Sequence, residues 1–191
     1  MKVIGFTSNY GLEGDVPQCY LMADSSILFT GRPFFLPDFA QSFVATPTIA
    51  VRTGRLGKCI APKFAHRYYD AMTGAFSVCA CKSDMPQLMA LDHAFDGAAV
   101  LGDWVSIGDL EDPLHEMVEV MVDGTVVSRH CLADMRWPLA DMIAGVSSRC
   151  SIKMGDVLLT GDAGSPTTLV PGNRLTATVG GKQVLDVKVR L

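Results

Sequence analysis

The sequence has few charged residues, few aromatic residues and no long apolar run. Charged residues occupy 19% of its 191 positions and aromatic residues 8%, although hydrophobic residues reach 49%. No apolar run approaches the ~20 residues that a membrane-spanning helix needs. Residues 1–6 turn polar too early for a secretory signal, and we expect them to form a β-strand. The sequence therefore predicts a protein outside the membrane, and we expect a cytoplasmic location.

Basic residues are also scarce, and phosphate-binding motifs are missing. The chain carries 16 lysines and arginines against 20 acidic residues, which gives a formal net charge of −4. It shows no stripe of basic side chains that would displace counterions from phosphates. The glycines of residues 54–58 lack the spacing of a phosphate-binding loop. We therefore expect no nucleic-acid partner.

The six cysteines follow no paired spacing that predicts disulfides or a zinc site. Cys79 and Cys81 lie two residues apart, which places both on one face of a strand but does not make the loop of a thiolate clamp. Free cysteine behaves as a small core residue in most proteins. We interpret the cysteines as buried, reduced thiols: Cys19, Cys59, Cys79, Cys81, Cys131 and Cys150.

Turn residues predict two β-hairpins. The Asp123-Gly124 pair separates two segments of alternating apolar residues, and the Gly180-Gly181 pair does the same near the C-terminus. Such pairs favour tight two-residue turns.

Two apolar stripes predict helices that begin near Pro62 and near Pro138. Their members are Ala65, Tyr68, Tyr69 and Met72 in the first, and Leu139, Met142, Ile143 and Val146 in the second. Many short strands with two or three short helices indicate a β-dominated α+β fold. We expect one domain over residues 1–191, because no linker or repeat divides the chain.

Several short segments are each weak evidence of a family alone, but their order along the chain is informative. They are NY at 9–10, DSSIL at 24–28, GRPFFLPD at 31–38, AVRTGRLGK at 50–58, AHRYYDA at 65–71, FDGAA at 95–99, VDG at 122–124 and MGDVLLTG at 154–161. In this order they resemble the fumarylacetoacetate hydrolase family, especially its short bacterial diene-dioate isomerase and hydratase members. The resemblance implies a mixed β-sandwich roll like the C-terminal domain of that family, usually dimeric.

The same resemblance implies a Mg²⁺ or Ca²⁺ site, held by a Glu-x-Glu pair on one strand and an Asp on a later strand. Here the pair falls on Thr46 and Thr48, and the Asp position is assigned to Val78. Neutral side chains do not offset the dehydration of a hard divalent cation. We therefore expect no cofactor, and Mg²⁺ or Ca²⁺ only if the site survives in altered form.

Other family positions are also changed. The two active-site lysines correspond to Met22 and His93, and the lid segment at residues 11–15 lacks the family's histidine. Asp162 replaces a threonine. The residues expected to line the old cleft are Met22, Asp24, Thr46, Thr48, Val78, His93 and Asp162.

Three functional hypotheses follow from these changes. The first is a catalytically degenerate homologue kept for binding, structural or regulatory purposes, as a homodimer or beside an active paralogue. The second is an active hydrolase, isomerase or hydratase on a small keto or dienoic acid, with a rebuilt metal-free site. The third is a module that binds a small keto acid or another small carboxylate.

The candidates for a rebuilt site are His93, Asp96, Asp162 and Lys82. His93 with Asp96 has the spacing of a base and its orienting partner, or else Asp96 caps a turn and His93 is a polar wall residue. Asp24 with Asp162 is a second possible pair, for a cation, against the alternative that both only satisfy local turns.

Overall fold

Strands dominate the computed structural model, which describes residues 1–11 and 16–191. Residues 12–15 of the expected lid segment lie outside the described residues. The strands of the described residues are β1 (Lys2–Phe6), β2 (Cys19–Ala23), β3 (Ile27–Phe29), β4 (Phe34–Phe35), β5 (Ala40–Thr53), β6 (Tyr69–Ser83), β7 (Ala99–Leu101), β8 (Val105–Ser106), β9 (Val118–Val122), β10 (Thr125–His130), β11 (Val157–Leu159), β12 (Thr167–Thr168), β13 (Arg174–Val179) and β14 (Lys182–Arg190).

The helix predicted from Pro138 is confirmed as α1 (Leu139–Arg149), which follows that proline directly. The helix predicted from Pro62 is only a 3-10 segment that ends at Arg67, and Tyr69 and Met72 belong to β6. Pairing with β5 overrides the local apolar stripe there. The further 3-10 segments are Asp24–Ser26, Pro86–Leu91, Ile107–Asp109 and Leu132–Asp134. Of the helices that the structure describes, none is long and apolar enough to cross a membrane.

The strands form two sheets. The larger follows the order β2-β1-β11-β5-β6-β7-β3, with β12 beside β5 and β8 beside β6. The smaller follows the order β10-β9-β13-β14-β4. The long strands β5 and β6 pair antiparallel over nearly their whole length, from Ala40 opposite Ser83 to Thr53 opposite Tyr69. This pair is the central element on which the candidate site is built.

Both predicted hairpins are confirmed. Asp123 (φ 51°) and Gly124 (φ 78°) join β9 to β10, and Gly180 (φ 56°) and Gly181 (φ 77°) join β13 to β14. Two successive residues in the left-handed region match the turn whose twist suits a tight hairpin.

The main core lies between the two sheets. The side chains of Phe76 and Val78 on β6 are fully buried in it, in one cluster with Ala177 of β13. The backbones come so close that a Cβ at Gly74 would lie 2.5 Å from the Cβ of Ala177. We call this side of β5 and β6 the inner face. The observed two-sheet packing agrees with the predicted β-sandwich roll.

A second, smaller apolar cluster covers the opposite side of the larger sheet. It contains Ala50 of β5, Ala75 of β6 and Met22 of β2, with the partly buried Tyr20 and Phe95 packed against it. The cysteines depart from the predicted burial: Cys131 is buried, but Cys19 and Cys59 are exposed, and all six are free. Their positions on edge strands and loops explain this exposure better than residue type does.

Candidate functional site

The register of β5 and β6 decides which side chains share a surface. Thr46 lies opposite Ser77, and Thr48 lies opposite Ala75. Residues directly opposite each other in an antiparallel pair point to the same face, and so do residues two apart on one strand. We define the cleft face as the side of β5 and β6 that carries Thr46, Thr48, Ser77 and Cys79. Thr46 is partly exposed and Thr48 is buried there.

The assignment of Val78 to the cleft is wrong. Val78 lies opposite Ala45, on the inner face, and is fully buried in the main core. It therefore points away from Thr46 and Thr48, and the three side chains cannot converge on one ion. Ser77 is the residue of β6 that shares their face. Residues 76–79 alternate between apolar and polar side chains, and this alternation already indicates that Ser77, not Val78, lies on the polar face.

Tyr20 of β2 reaches the cleft face from the sheet edge, a role that the sequence did not reveal. It lies opposite Gly5, where a Cβ would stand 2.2 Å from the phenol ring, so glycine is what allows the ring to lie across β1. The Tyr20 hydroxyl is 2.6 Å from Oγ of Ser77. Burial raises the pKa of Tyr20 to about 12, which keeps the phenol neutral.

His93 stacks on Tyr20, with ring centroids 4.7 Å apart. Its Nε2 lies 3.4 Å from Sγ of Cys79, and its buried Nδ1 finds no partner among the described residues. Desolvation lowers the pKa of His93, while the carboxylates of Asp92 and Asp162 raise it more weakly. The imidazole is therefore neutral at pH 7, with acidic groups nearby.

Cys79 and Asp162 complete the group. Burial is the main cause that raises the pKa of the Cys79 thiol to about 11, so the thiol is protonated at pH 7. Asp162 accepts a hydrogen bond from the backbone N–H of Ser8, with N and Oδ2 3.2 Å apart. Burial raises the pKa of Asp162 despite this bond and a weaker opposing effect of protonated His93.

The structure separates the remaining candidates from this group. Met22 is buried in the smaller apolar cluster, on the same side as Tyr20. Asp24, Lys82 and Asp96 are all exposed. Asp24 begins a 3-10 segment, Asp96 lies in a turn, and Lys82 adopts a left-handed backbone with φ 53° at the end of β6. The cleft face thus gathers Thr46, Thr48, His93 and Asp162, but neither the predicted pair of His93 with Asp96 nor a pair of Asp24 with Asp162.

The donors on the cleft face do not fit the family's metal. Hard divalent cations are held by carboxylates, carbonyls and water, whereas Thr46, Thr48 and Ser77 contribute only hydroxyls to the cleft face. Within residues 1–11 and 16–191, no three histidine, cysteine, aspartate or glutamate side chains are grouped closely enough to hold a metal ion. The hydroxyl of Ser77 is engaged by Tyr20.

Comparisons with known proteins agree on one fold. The family model described as "Fumarylacetoacetate (FAA) hydrolase C-terminal" matches residues 7–190. A comparison with curated protein sequences found no match.

Three solved structures illustrate the likeness. The fumarylpyruvate hydrolase of Pseudomonas aeruginosa, solved with Mn²⁺ and pyruvate, is 18% identical with TM-score 0.86, covering 100% of this chain and 90% of that one. The 5-carboxymethyl-2-hydroxymuconate delta-isomerase of Mycobacterium smegmatis is 24% identical with TM-score 0.85, covering 99% and 78%. The 2-hydroxyhepta-2,4-diene-1,7-dioate isomerase of Mycobacterium marinum is 21% identical with TM-score 0.84, covering 99% and 74%.

Proposed function

Because this chain belongs to the fumarylacetoacetate hydrolase family, matched over residues 7–190, we propose that it is a catalytically degenerate member. In this proposal the chain has lost the metal-dependent reaction and keeps the fold for a binding, structural or regulatory role. The fold alone does not choose among these roles, because function depends on the groups at the site.

The observation that carries the proposal is the chemistry of the cleft face. Thr46 and Thr48 present neutral hydroxyls where the family resemblance implies the Glu-x-Glu pair, and Ser77, opposite Thr46, adds a third neutral hydroxyl. Replacing anionic ligands by neutral ones removes most of the attraction that offsets dehydration of a divalent cation. The phenol of Tyr20 bonded to Ser77 further fills this space with a neutral group.

The direct test is turnover by the purified chain. Fumarylpyruvate and 2-hydroxyhepta-2,4-diene-1,7-dioate are incubated with Mg²⁺, Mn²⁺ or Ca²⁺, and product is followed by loss of ultraviolet absorbance. We expect no metal-dependent change. Turnover that a chelator abolishes and added Mn²⁺ restores would refute the proposal.

A gain-of-binding experiment tests the cause. The variant T46E/T48E/S77D restores three carboxylates to one face, and we expect it to bind Mn²⁺ at least about 10-fold more tightly than the wild type, by titration calorimetry. The matched control T46Q/T48Q/S77N has similar size without charge and should gain nothing. Equal Mn²⁺ binding by the wild type and the carboxylate variant would contradict the argument.

The retained role that we favour is binding of a small molecule in the cleft. The charged groups that act on His93 are the carboxylates of Asp92 and Asp162. This setting disfavours a ligand with several carboxylates and favours a neutral one. A thermal-shift screen that compares keto acids with their esters should show stabilisation by the esters.

An active enzyme with a metal-free site is the second candidate, and the contact between His93 and Cys79 favours it. If a substrate is found, His93→Ala should lower turnover by about 10²–10⁴-fold, the usual contribution of an acid–base group. A degenerate protein has no turnover to lose, so the two candidates give different results.

Assembly and location belong to the same proposal. We propose a homodimer, or a heteromer with an active paralogue, in the cytoplasm, without a nucleic-acid or membrane partner. Light scattering after size-exclusion chromatography should give about twice the monomer mass of 20.5 kDa.

A further inference from the structure

We propose that Cys79 is a nucleophilic thiol with His93 as its base, and that this pair captures a neutral α,β-unsaturated carbonyl compound in the cleft. The inference goes beyond the proposed loss of metal chemistry, since it gives the rebuilt cleft a reactive group of its own. It needs no metal ion.

The contact between the two side chains is the first observation. Sγ of Cys79 lies 3.4 Å from Nε2 of His93, within reach of a hydrogen bond to sulfur. The thiol also lies 3.3 Å from the carbonyl oxygen of Ala80 and interacts with the thiol of Cys81, so His93 is one of several neighbours with which it can form a hydrogen bond. When Nε2 accepts, the ring proton resides on Nδ1. That atom is buried and finds no partner in the described part of the chain.

The position of the imidazole is the second observation. The ring of His93 is fixed against Tyr20, and Tyr20 is fixed in turn by its hydroxyl contact with Ser77. Cys79 and His93 are each only partly buried. A nucleophile beside an oriented base at an accessible surface is the arrangement that covalent chemistry requires.

The acidic groups around His93 affect both the proton transfer from the thiol and the charge of the ligand that can bind. When the imidazole takes the thiol proton it becomes a cation, which Asp92 and Asp162 favour, whereas Asp92 also raises the pKa of Cys79 and so opposes the thiolate. The same carboxylates repel an anionic ligand. An uncharged electrophile is therefore the chemical class that fits, and a soft thiolate prefers the carbon of an activated double bond.

The step balances without any further reactant. His93 Nε2 removes the proton from Sγ of Cys79, and the sulfur forms a bond to the β-carbon of the alkene. The π electrons of the double bond move to the α-carbon, which takes the proton back from Nε2. The product is a thioether, and the imidazole returns to its neutral form.

Cys81 supplies an internal control within the same strand. It lies two residues beyond Cys79 and so shares its face, and it is also partly exposed. Burial raises the pKa of Cys79 to about 11. A thiol with a raised pKa reacts slowly unless a base assists it.

The experiment measures the modification rate of each cysteine by dimethyl fumarate, a neutral diester, through peptide mass spectrometry in buffer with a chelator. We expect Cys79 to react at least about 10-fold faster than Cys81, because base assistance contributes about 10²–10⁴-fold. Cys79 reacting no faster than Cys81 in the wild type would overturn the proposal, and this comparison requires no variant.

Two further measurements test the role of His93 and the preference for a neutral ligand. His93→Gln should slow Cys79 by at least about 10-fold and leave the exposed Cys19 and Cys59 at their wild-type rates. The buried Cys131 should stay protected in the variant, which reports an intact fold. An unchanged Cys79 rate in that variant would overturn the role of His93. With monomethyl fumarate, an anion, the ratio of the Cys79 rate to the Cys81 rate should fall. A ratio that rises would overturn the preference for a neutral ligand.

Discussion

The two faces of the β5–β6 pair differ sharply although they share one backbone. The inner face carries Ala45, Phe76 and Val78, which are buried against the smaller sheet. The cleft face carries Thr46, Ser77 and Cys79. Ser77 contacts Tyr20 and Cys79 contacts His93, which come from distant segments and not from a second sheet. The inner face is apolar, and the cleft face combines these polar side chains with the smaller apolar cluster.

This contrast shows where the chain tolerates change. Apolar packing on the inner face holds the two sheets together, so its residues are constrained by volume and by the absence of charge. The cleft face is constrained mainly by its chemistry. Polar side chains can therefore change on the cleft face without affecting the main core, which is compatible with the proposed loss of the metal site.

The largest expected effect comes from placing the same charge on each face. Val78→Asp buries a carboxylate between the sheets and should lower the free energy of unfolding by about 4 kcal/mol or more, or prevent folding. Ser77→Asp, one residue away on the cleft face, should cost no more than about 2 kcal/mol, because the Tyr20 hydroxyl is in reach as a donor. Urea unfolding of both variants is the measurement. Equal losses would remove the distinction between the faces.

Two glycine substitutions, one on each side of the larger sheet, compare the two faces through smaller losses of stability. Gly74→Ala puts a Cβ 2.5 Å from the Cβ of Ala177 on a facing strand, and should cost about 2 kcal/mol. Gly5→Ala meets the outer atoms of the Tyr20 ring, a side chain that can swing away. We expect a cost of about 1 kcal/mol there, with loss of the Tyr20 contact to Ser77. A larger loss for Gly5→Ala than for Gly74→Ala would contradict this ranking.

Removal of one hydroxyl tests the polar contact alone. Tyr20→Phe deletes the bond to Ser77 while keeping the ring on His93, and should lower the free energy of unfolding by about 1 kcal/mol. Ser77→Ala is the matched partner, and the double variant should lose no more than the larger single loss. Strictly additive losses would mean that the two hydroxyls act independently.

The smallest expected effect is a gain of stability, whereas the preceding variants lose stability. Burial raises the pKa of Asp162 above its usual value of 3.8, so the folded chain holds this proton more tightly than the unfolded chain does. The stability that this provides is complete below pH 3.8 and is lost as the pH rises through the folded-state pKa. Asp162→Asn should therefore raise Tm slightly at pH 7, with a difference that shrinks towards pH 4. A lower Tm at pH 7 would show that the carboxylate supports the fold.

Local signals in the sequence predicted much of the fold. The Asp123-Gly124 and Gly180-Gly181 turns and the helix after Pro138 were predicted correctly, because each depends on the backbone preferences of a few adjacent residues. The helix from Pro62 was wrong beyond Arg67. Tyr69 and Met72 fit a helical stripe, yet pairing with β5 places them in a strand.

The candidate site was predicted less completely. The position of Thr46 and Thr48 on one face follows from strand geometry alone. The sequence placed Val78 in the cleft, but the structure places Ser77 there, because an error of one residue in register reverses the face. Tyr20 and Cys79 were missed, since their contacts involve residues 57 and 14 positions away in the chain.

The sequence by itself determined the turns, the apolar character of the strands, the family and the placement of Thr46 and Thr48 on one face of a strand. Only the tertiary structure decided that Ser77 joins those threonines, that Tyr20 bonds to Ser77, and that His93 contacts Cys79. The physical reason is the range of the interactions. A turn is fixed by the dihedral preferences of neighbouring residues, whereas a cleft depends on strand register and on the packing of side chains from separate parts of the chain.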